Sequence, residues 1–240
     1  MTDCLRVVVL SILVLLASHS GAVATYNETP YFGHLVQAGK IDPVEKRLPK
    51  QPRVTDLEEI GRMSGKHGGN LRILMARKKD VRMMVYYGYS RLIGYDTNYN
   101  LQPDILESYN VEDGRIFTFR IREGHRWSDG APFTSEDFRF AFEDVMLNKK
   151  LRRGGLPLSM LVNGKGPKFT VIDKYTVNYE WDEPNPNFLL TLAQARPPFI
   201  YRPAHFMRQF HESYADADEL AATVDDARVN SWAALHNKLD

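Results

Sequence analysis

Two stretches of strict alternation constrain the fold of this chain more than any other feature of its sequence. In the first, residues 109–112 lead through Asp113-Gly114 into Ile116-Phe117-Thr118-Phe119-Arg120-Ile121-Arg122. Successive side chains of a strand point to opposite faces, so Phe117, Phe119 and Ile121 share one face and Thr118, Arg120 and Arg122 the other. The Asp-Gly pair tolerates the positive φ angles that a tight hairpin turn requires. In the second, Phe169-Thr170-Val171-Ile172 turns at Asp173-Lys174 into Tyr175-Thr176-Val177-Asn178-Tyr179-Glu180-Trp181. Here again the strand after the turn is apolar on one side and polar on the other. Two half-buried hairpins predict an antiparallel sheet with one packed face and one wet face.

Between the hairpins, Thr134-Ser135-Glu136-Asp137 predicts a helix start, because a hydroxyl at the N-cap and an acid three residues later satisfy otherwise unpaired backbone N–H groups. Phe138, Ala141, Phe142 and Val145 follow at i, i+3, i+4 and i+7 and predict one apolar stripe, with Arg139, Glu143 and Asp144 facing away. A sheet with covering helices places the chain in the α/β class. Further helices are expected over 187–195, after Pro203 through Phe206, Met207 and Phe210, and as two weaker pieces within 219–239. Upstream, Leu71-Arg72-Ile73-Leu74-Met75 reads as a buried strand that opens the folded body, introduced by Gly68-Gly69 and stopped by Arg77-Lys78-Lys79-Asp80. Residues 25–69 hold four prolines and no sustained period, and read as a leader arm wrapped on a domain.

The first two dozen residues stand apart. Arg6 precedes an apolar run over 7–17, interrupted only by Ser11 and too short to span about 30 Å of hydrocarbon as a helix, and Ala22-Val23-Ala24 offers a small-x-small cleavage site. Residues 1–24 are therefore predicted to be a cleavable signal peptide. Cys4, the single cysteine, lies before the run and not after it, so no lipid anchor is expected, and the processed chain would have neither disulfide nor thiol chemistry. Lysine and arginine total 31 against 30 acids, with both signs spread along the chain, which argues against nucleic acid as a partner. His205 and His211 are six apart, a spacing that suits no metal pair on one helix face, and read as surface histidines. Neither a nucleophile elbow nor a glycine-rich phosphate loop is present, so no cofactor or metal is expected.

The run Leu101-Gln102-Pro103-Asp104-Ile105-Leu106-Glu107-Ser108 and the block Ile121-Arg122-Glu123-Gly124-His125-Arg126-Trp127-Ser128-Asp129-Gly130-Ala131-Pro132-Phe133-Thr134 carry a more specific signal. Their order resembles the signature of family 5 extracellular solute-binding proteins, in which a P-D-L-A-E-S segment precedes a Y-T-F-x-L-R-x-G-V-K-F-x-D-G-x-P-F-T block. The resemblance extends from 71 to about 205. Residues 86–93 are similar to the family's Y-E-G-L helix region, Pro184-Asn185-Pro186-Asn187 to its proline-led helix start, and 200–205 to its I-V-P-K-H return segment. It implies a periplasmic-binding-protein-like fold of type II, with two lobes that close over a peptide or similar solute and deliver it to an ABC transporter permease in the inner membrane. The chain would then be a periplasmic, monomeric binding protein and not an enzyme. The domain plan that follows is a leader arm over 25–69, the start of the first lobe over 70–103, a small antiparallel subdomain over 104–184, and a return over 185–240. A second lobe, which such proteins place further along, is expected to be missing.

The signature block itself is explained by structure, since Asp129-Gly130 suits a tight turn and Asp137 a helix cap. Ligand contact is expected instead from Tyr86, Tyr87 and Tyr89, which offer stacking surface and hydroxyls. Arg77 and Lys78 at the end of the first strand are candidates for a peptide carboxylate. Arg196, Pro198 and Phe199 lie in a rigid segment that the resemblance places near the lobe boundary. Trp127 and Trp181 are assigned to core packing. The alternatives are a secreted carbohydrate-active enzyme, disfavoured because Glu136 and Asp137 project about 100° apart from one helix, and an envelope interaction module.

Overall fold

A computed structural model describes residues 26–84 and 88–240, and the expected signal peptide lies outside the described residues. The chain divides into two compact units, Met1–Glu45 and Lys46–Asp240. In the first, the proline-rich arm is not wholly irregular. Pro30 occupies the first turn of helix α1 (Pro30–Gln37), where its missing N–H costs nothing, and Gly39 closes the helix at φ 65°. A short second helix, α2 (Val44–Arg47), follows.

The second unit is built on the two hairpins. Strands β3 (Leu106–Glu112), β4 (Ile116–Ile121), β5 (Lys168–Asp173) and β6 (Thr176–Glu180) form one antiparallel sheet in the order β3-β4-β6-β5. The predicted turn holds Asp113 and Gly114 at φ 52° and 67°, and the Arg115 N–H donates to the Glu112 carbonyl. Central pairing sets Phe117 opposite Tyr179 and Phe119 opposite Val177. Those side chains, with Ile121 and Trp181, are buried on one face. Phe188 of helix α4 (Phe188–Ala193) closes the core, its ring centroid 4.7 Å from that of Trp181. The Trp181 indole N–H keeps a partner in the interior by donating to the Met160 carbonyl at 3.0 Å. A separate short hairpin, β1 (Ile93–Tyr95) with β2 (Leu101–Pro103), turns on Asp96, whose carboxylate accepts from the Asn98 and Asn100 N–H groups.

The helix between the hairpins starts where the sequence places it. The Thr134 hydroxyl accepts from the Glu136 N–H, and the Asp137 carboxylate accepts from the Thr134 N–H at 2.8 Å. After one α-helical stretch, α3 (Ser135–Arg139), the backbone widens into a π-helical segment, Phe140–Met146, ending on a five-residue bond from the Leu147 N–H to the Phe142 carbonyl. The wider turn corrects the single-stripe expectation. Phe138, Phe142 and Met146, four apart, pack into the sheet core, whereas Phe140 and Val145, five apart, join a second cluster with Leu151, Ala204 and Met207. The element is buried on two sides. Helices α5 (Ala204–Met207), α6 (Ala217–Asp226) and α7 (Trp232–Leu239) complete the unit, with Trp232 against the second cluster.

Two further expectations are corrected. Residues 71–75 form no strand, and Leu74 is fully exposed. A strand requires a hydrogen-bonded neighbour, and among the described residues no strand pairs with this segment. His211 is not a surface residue. It is buried against Phe140, Tyr214 and Trp232, its Nδ1 accepts from the Ser213 N–H, and its Nε2–H donates to the Asp144 carbonyl at 3.1 Å.

The end of the proline-rich segment lies on the sheet's tip. The Lys50 N–H donates to the Glu123 carbonyl, Arg122 donates to the Gln51 carbonyl, and the Lys50 ammonium sits 2.5 Å from the Glu123 carboxylate. Gly124 makes this approach possible. Its φ is 97°, and a Cβ there would lie 2.9 Å from the Lys50 nitrogen. Gly124→Ala is expected to destabilise the fold by about 1–3 kcal/mol and to speed tryptic cleavage near Lys50. Urea denaturation with limited proteolysis checks this, and an unchanged midpoint would mean that the approach is not formed.

Candidate functional site

The short loop 125–133 shapes an open aromatic cleft in the second unit. Its ends are tied by bonds from the Trp127 N–H to the Ala131 carbonyl and from the Phe133 N–H to the His125 carbonyl, both short. Gly130 turns the loop at φ 89°, and the Asp129 carboxylate accepts from the Ala131 N–H. This fold-back brings the rings of Trp127 and Phe133 to 5.4 Å, edge to face. Tyr201 arrives from the later chain, 6.1 Å from Trp127 and 5.2 Å from Phe133. Together with Ile105, His125 and the rim residue Tyr89, these rings line an open cleft of about 280 Å³.

Ser90 and Arg126 complete the lining, and the Arg126 guanidinium donates to the Gly130 carbonyl at 2.9 Å. The Nε2 of His125 is buried and has no hydrogen-bond partner among the described residues. Burial, helped by the positive charge of Arg122, holds its pKa below the ordinary histidine value and favours the neutral ring. Burial likewise pushes the Tyr201 phenol up to about 12, which keeps it uncharged. Beside the loop, the Asp129 carboxylate lies 2.6 Å from His205, whose hydrogen bond holds it below the usual carboxylate range.

The sequence-predicted residues are scattered relative to this cleft. Tyr89 stands on its rim, 66% exposed. Phe199 is exposed and meets Tyr201 edge to face at 5.8 Å, so it adjoins the lining without forming it. Arg196 is exposed and Pro198 half-buried, both in an irregular segment. Arg77 and Lys78 are exposed, Arg77 loosely paired with Asp80 at 4.0 Å, and neither lines the cleft. Tyr86 and Tyr87 lie outside the described residues. Trp181 is core, as expected, whereas Trp127 both packs on the core and opens to the cleft. His125, Phe133 and Tyr201 were not singled out by sequence. The signal that could have found them is the Asp129-Gly130 turn, which folds Trp127 and Phe133 toward one another.

Neither carboxylate of the adjacent Glu136–Asp137 pair is free. Glu136 is held by Arg139 at 2.7 Å and by Arg208, and Asp137 is buried in the helix cap. Among the described residues no group of three His, Cys, Asp or Glu side chains is placed to hold a metal ion.

Comparison with known proteins places this geometry in a family. Residues 100–227 match the model described as bacterial extracellular solute-binding proteins, family 5 Middle. The chain is 28% identical over 201 residues to a periplasmic alpha-galactoside-binding protein of Rhizobium meliloti (strain 1021), covering 75% of this chain and 28% of that one. It is 26% identical over 163 residues to the periplasmic oligopeptide-binding protein OppA of Escherichia coli (strain K12), covering 61% and 30%. Among solved structures, an oligopeptide-binding protein OppA superposes with a TM-score of 0.77 at 30% identity, over 92% of this chain and 34% of that one. The periplasmic binding protein MelB in complex with stachyose, from Agrobacterium fabrum C58, shares the fold with a TM-score of 0.57 at 22% identity, over 83% and 33%. The chain thus spans about a third or less of the length of these proteins, and within that span it has the mixed helix-and-sheet fold of OppA-type periplasmic binding proteins. On the match across its sheet, its capped helix and its return segment, the chain belongs to the bacterial extracellular solute-binding proteins of family 5.

Proposed function

We propose that this chain is the solute-binding component of an ABC-type uptake transporter, exported to the periplasm, where it captures a peptide or similar small solute for the inner-membrane permease. The observation that carries the reading is the open aromatic cleft with a buried, unpartnered imidazole nitrogen at its wall. Rings supply contact area at low entropic cost, and a few polar atoms in a mostly apolar lining orient a ligand. Tyr89 and Phe199 would extend the contact at the rim, with Arg196 and Pro198 holding the segment that carries Phe199. Arg77 and Lys78 would meet an anionic group of the solute from the exposed segment before it, and Tyr86 and Tyr87 belong to the same proposal. Relatives that are named as binding proteins, and the engagement of Glu136 and Asp137 in structural contacts, support binding without turnover.

A second reading, an oligosaccharide as solute, is favoured by two observations. The relative that aligns with 75% of this chain is an alpha-galactoside-binding protein, and the Trp127, Phe133 and Tyr201 rings offer the apolar platform that a pyranose face stacks on.

The cleft is open on one side, so affinity should be modest. Half the contacts of a micromolar complex leave a Kd near the millimolar range, on the order of −4 kcal/mol. Titration of the 240-residue chain with mixed tri- to pentapeptides, and separately with stachyose, followed by NMR shifts and by product analysis, tests the proposal. Shifts at Trp127 and His125, weakened about tenfold in Trp127→Ala, are expected without any change in the solute. Turnover of the solute, or shifts confined to residues away from the cleft, would overturn it.

A further inference from the structure

The mixture of charges along the chain is broken by acid-free basic stretches, one over 60–79 and one between Asp144 and Asp173. Between Asp144 and Asp173 there is no acidic residue, while Lys149, Lys150, Arg152, Arg153, Lys165 and Lys168 all fall in that interval, in a protein whose net charge is only +1. Four of these cations crowd the turn after the π-helical segment. Asn148 nucleates that turn: its side chain accepts from the Lys150 N–H and its carbonyl from the Arg152 N–H. Leu151 is pinned inward in the second cluster, so its charged neighbours are directed outward.

The turn borders a groove of about 320 Å³ whose walls are Lys149, Arg152 and Arg153 and whose apolar lining is Met146, Leu147 and Leu156. Lys150 is paired with Glu212 and Arg152 with Asp240. Lys149 and Arg153 have no acidic partner among the described residues. Leucines break the surface on either side, Leu147 at 52% and Leu158 at 87% exposure. No helix among the described residues is long and apolar enough to cross a membrane.

We infer that the basic, leucine-flanked face formed by the 146–158 turn and its groove docks on the anionic phospholipid headgroups of a membrane surface. Clustered lysines and arginines are drawn to a negatively charged leaflet, and exposed leucines beside them enter the headgroup boundary, where apolar area adds to the electrostatic attraction. A soluble acidic protein would satisfy the charges but would leave the unpaired leucines unexplained. The face is separate from the aromatic cleft, so docking does not compete with the solute for the same residues.

Sedimentation of the full 240-residue chain with vesicles tests this. The apolar run at residues 7–17 would enter any bilayer, so the readout is the difference between vesicles containing phosphatidylglycerol and vesicles of phosphatidylcholine alone. At low ionic strength about a tenfold preference for the anionic vesicles is expected, falling as salt is raised. Lys149→Glu with Arg153→Glu should remove most of that preference, and Leu147→Ser with Leu158→Ser should weaken binding to anionic vesicles severalfold. Circular dichroism confirms that each variant is folded. An unchanged preference in the folded charge-reversal variant would overturn the inference. So would loss of the preference in inorganic phosphate at matched ionic strength, because the groove would then be a site for free phosphate.

Discussion

Replacing Asp137 by alanine is expected to destabilise the protein by about 3–5 kcal/mol, a large part of what a domain of this size has. Both oxygens of this buried carboxylate are in use. One accepts from the Thr134 N–H at 2.8 Å and closes the helix cap, and the other accepts from the Ala204 N–H at 3.0 Å, 67 residues later in the chain. The Asp137 carbonyl adds a bond from the Arg202 N–H. One side chain therefore joins the start of α3 to the start of α5. Alanine strands two backbone N–H groups, one of them fully enclosed, each costing about 1–3 kcal/mol when left unpaired. Asparagine retains one acceptor oxygen but presents an amide N–H to the other donor, so Asp137→Asn should lose about half as much. Chemical denaturation of the three proteins checks the order. An alanine variant within about 1 kcal/mol of wild type, the cost of a simple helix cap, would show that the link to Ala204 contributes nothing.

Acidification from pH 6.5 to 5 is expected to destabilise the protein through His236. This ring is completely buried beneath Phe140, His211 and Trp232, and neither nitrogen has a hydrogen-bond partner among the described residues. Burial is the main reason its pKa falls to about 4. His211, Arg202 and Arg152 act in the same direction, and Asp240 opposes them. The folded value lies below the unfolded value of 6.5, so the unfolded chain takes up the proton first as pH falls. Stability is lost through the window from about 6.5 to 4, and the full loss is on the order of 3 kcal/mol. Asp137 works with the opposite sign, because burial raises its pKa and its contribution is lost as pH rises. Its window opens at the ordinary carboxylate value of 3.8 and extends upward, so the histidine effect is read as the difference between wild type and a variant lacking His236. Melting temperature against pH for wild type and His236→Phe provides the test. The variant should have a flatter profile between pH 6.5 and 5, and parallel profiles would assign the loss to other groups.

What was legible in the sequence was local. Alternation over 116–122 and 175–181, the Asp113-Gly114 turn and the Thr134–Asp137 capping box each rest on residues that act within a few positions of one another, and each appears in the structure where it was expected. The unread features depend on distant partners. Residues 71–75 have the apolar content of a strand, but pairing depends on a neighbour that local sequence cannot supply. The π-helical widening at 140–146 serves two cores at once, and a 3.6-residue template has no place for a five-residue spacing. His211 was read as a surface histidine because its spacing from His205 suits no metal pair, whereas Phe140 and Trp232 enclose it. Trp127 was assigned to the core because alternation does not distinguish a ring covered by the fold from one covered on a single side. The cleft became visible only when Tyr201 arrived from 74 positions away.

The pairing at the centre of the sheet also governs how this protein comes to be folded. Thr118 and Asn178, which face each other across β4 and β6, are 60 residues apart in the chain. The β3–β4 hairpin can close on itself within microseconds, but the entropy of gathering the long intervening loop must be met before the central ladder contributes any contact. Phe117, Phe119 and Ile121 therefore wait uncovered until Val177, Tyr179 and Trp181 have been synthesised. Folding is accordingly slow to begin and then cooperative, as expected for contacts of high sequence separation. While it emerges, a chain of this kind can form its first hairpin but not its core, and it presents a sticky half-sheet to chaperones until the last strand arrives.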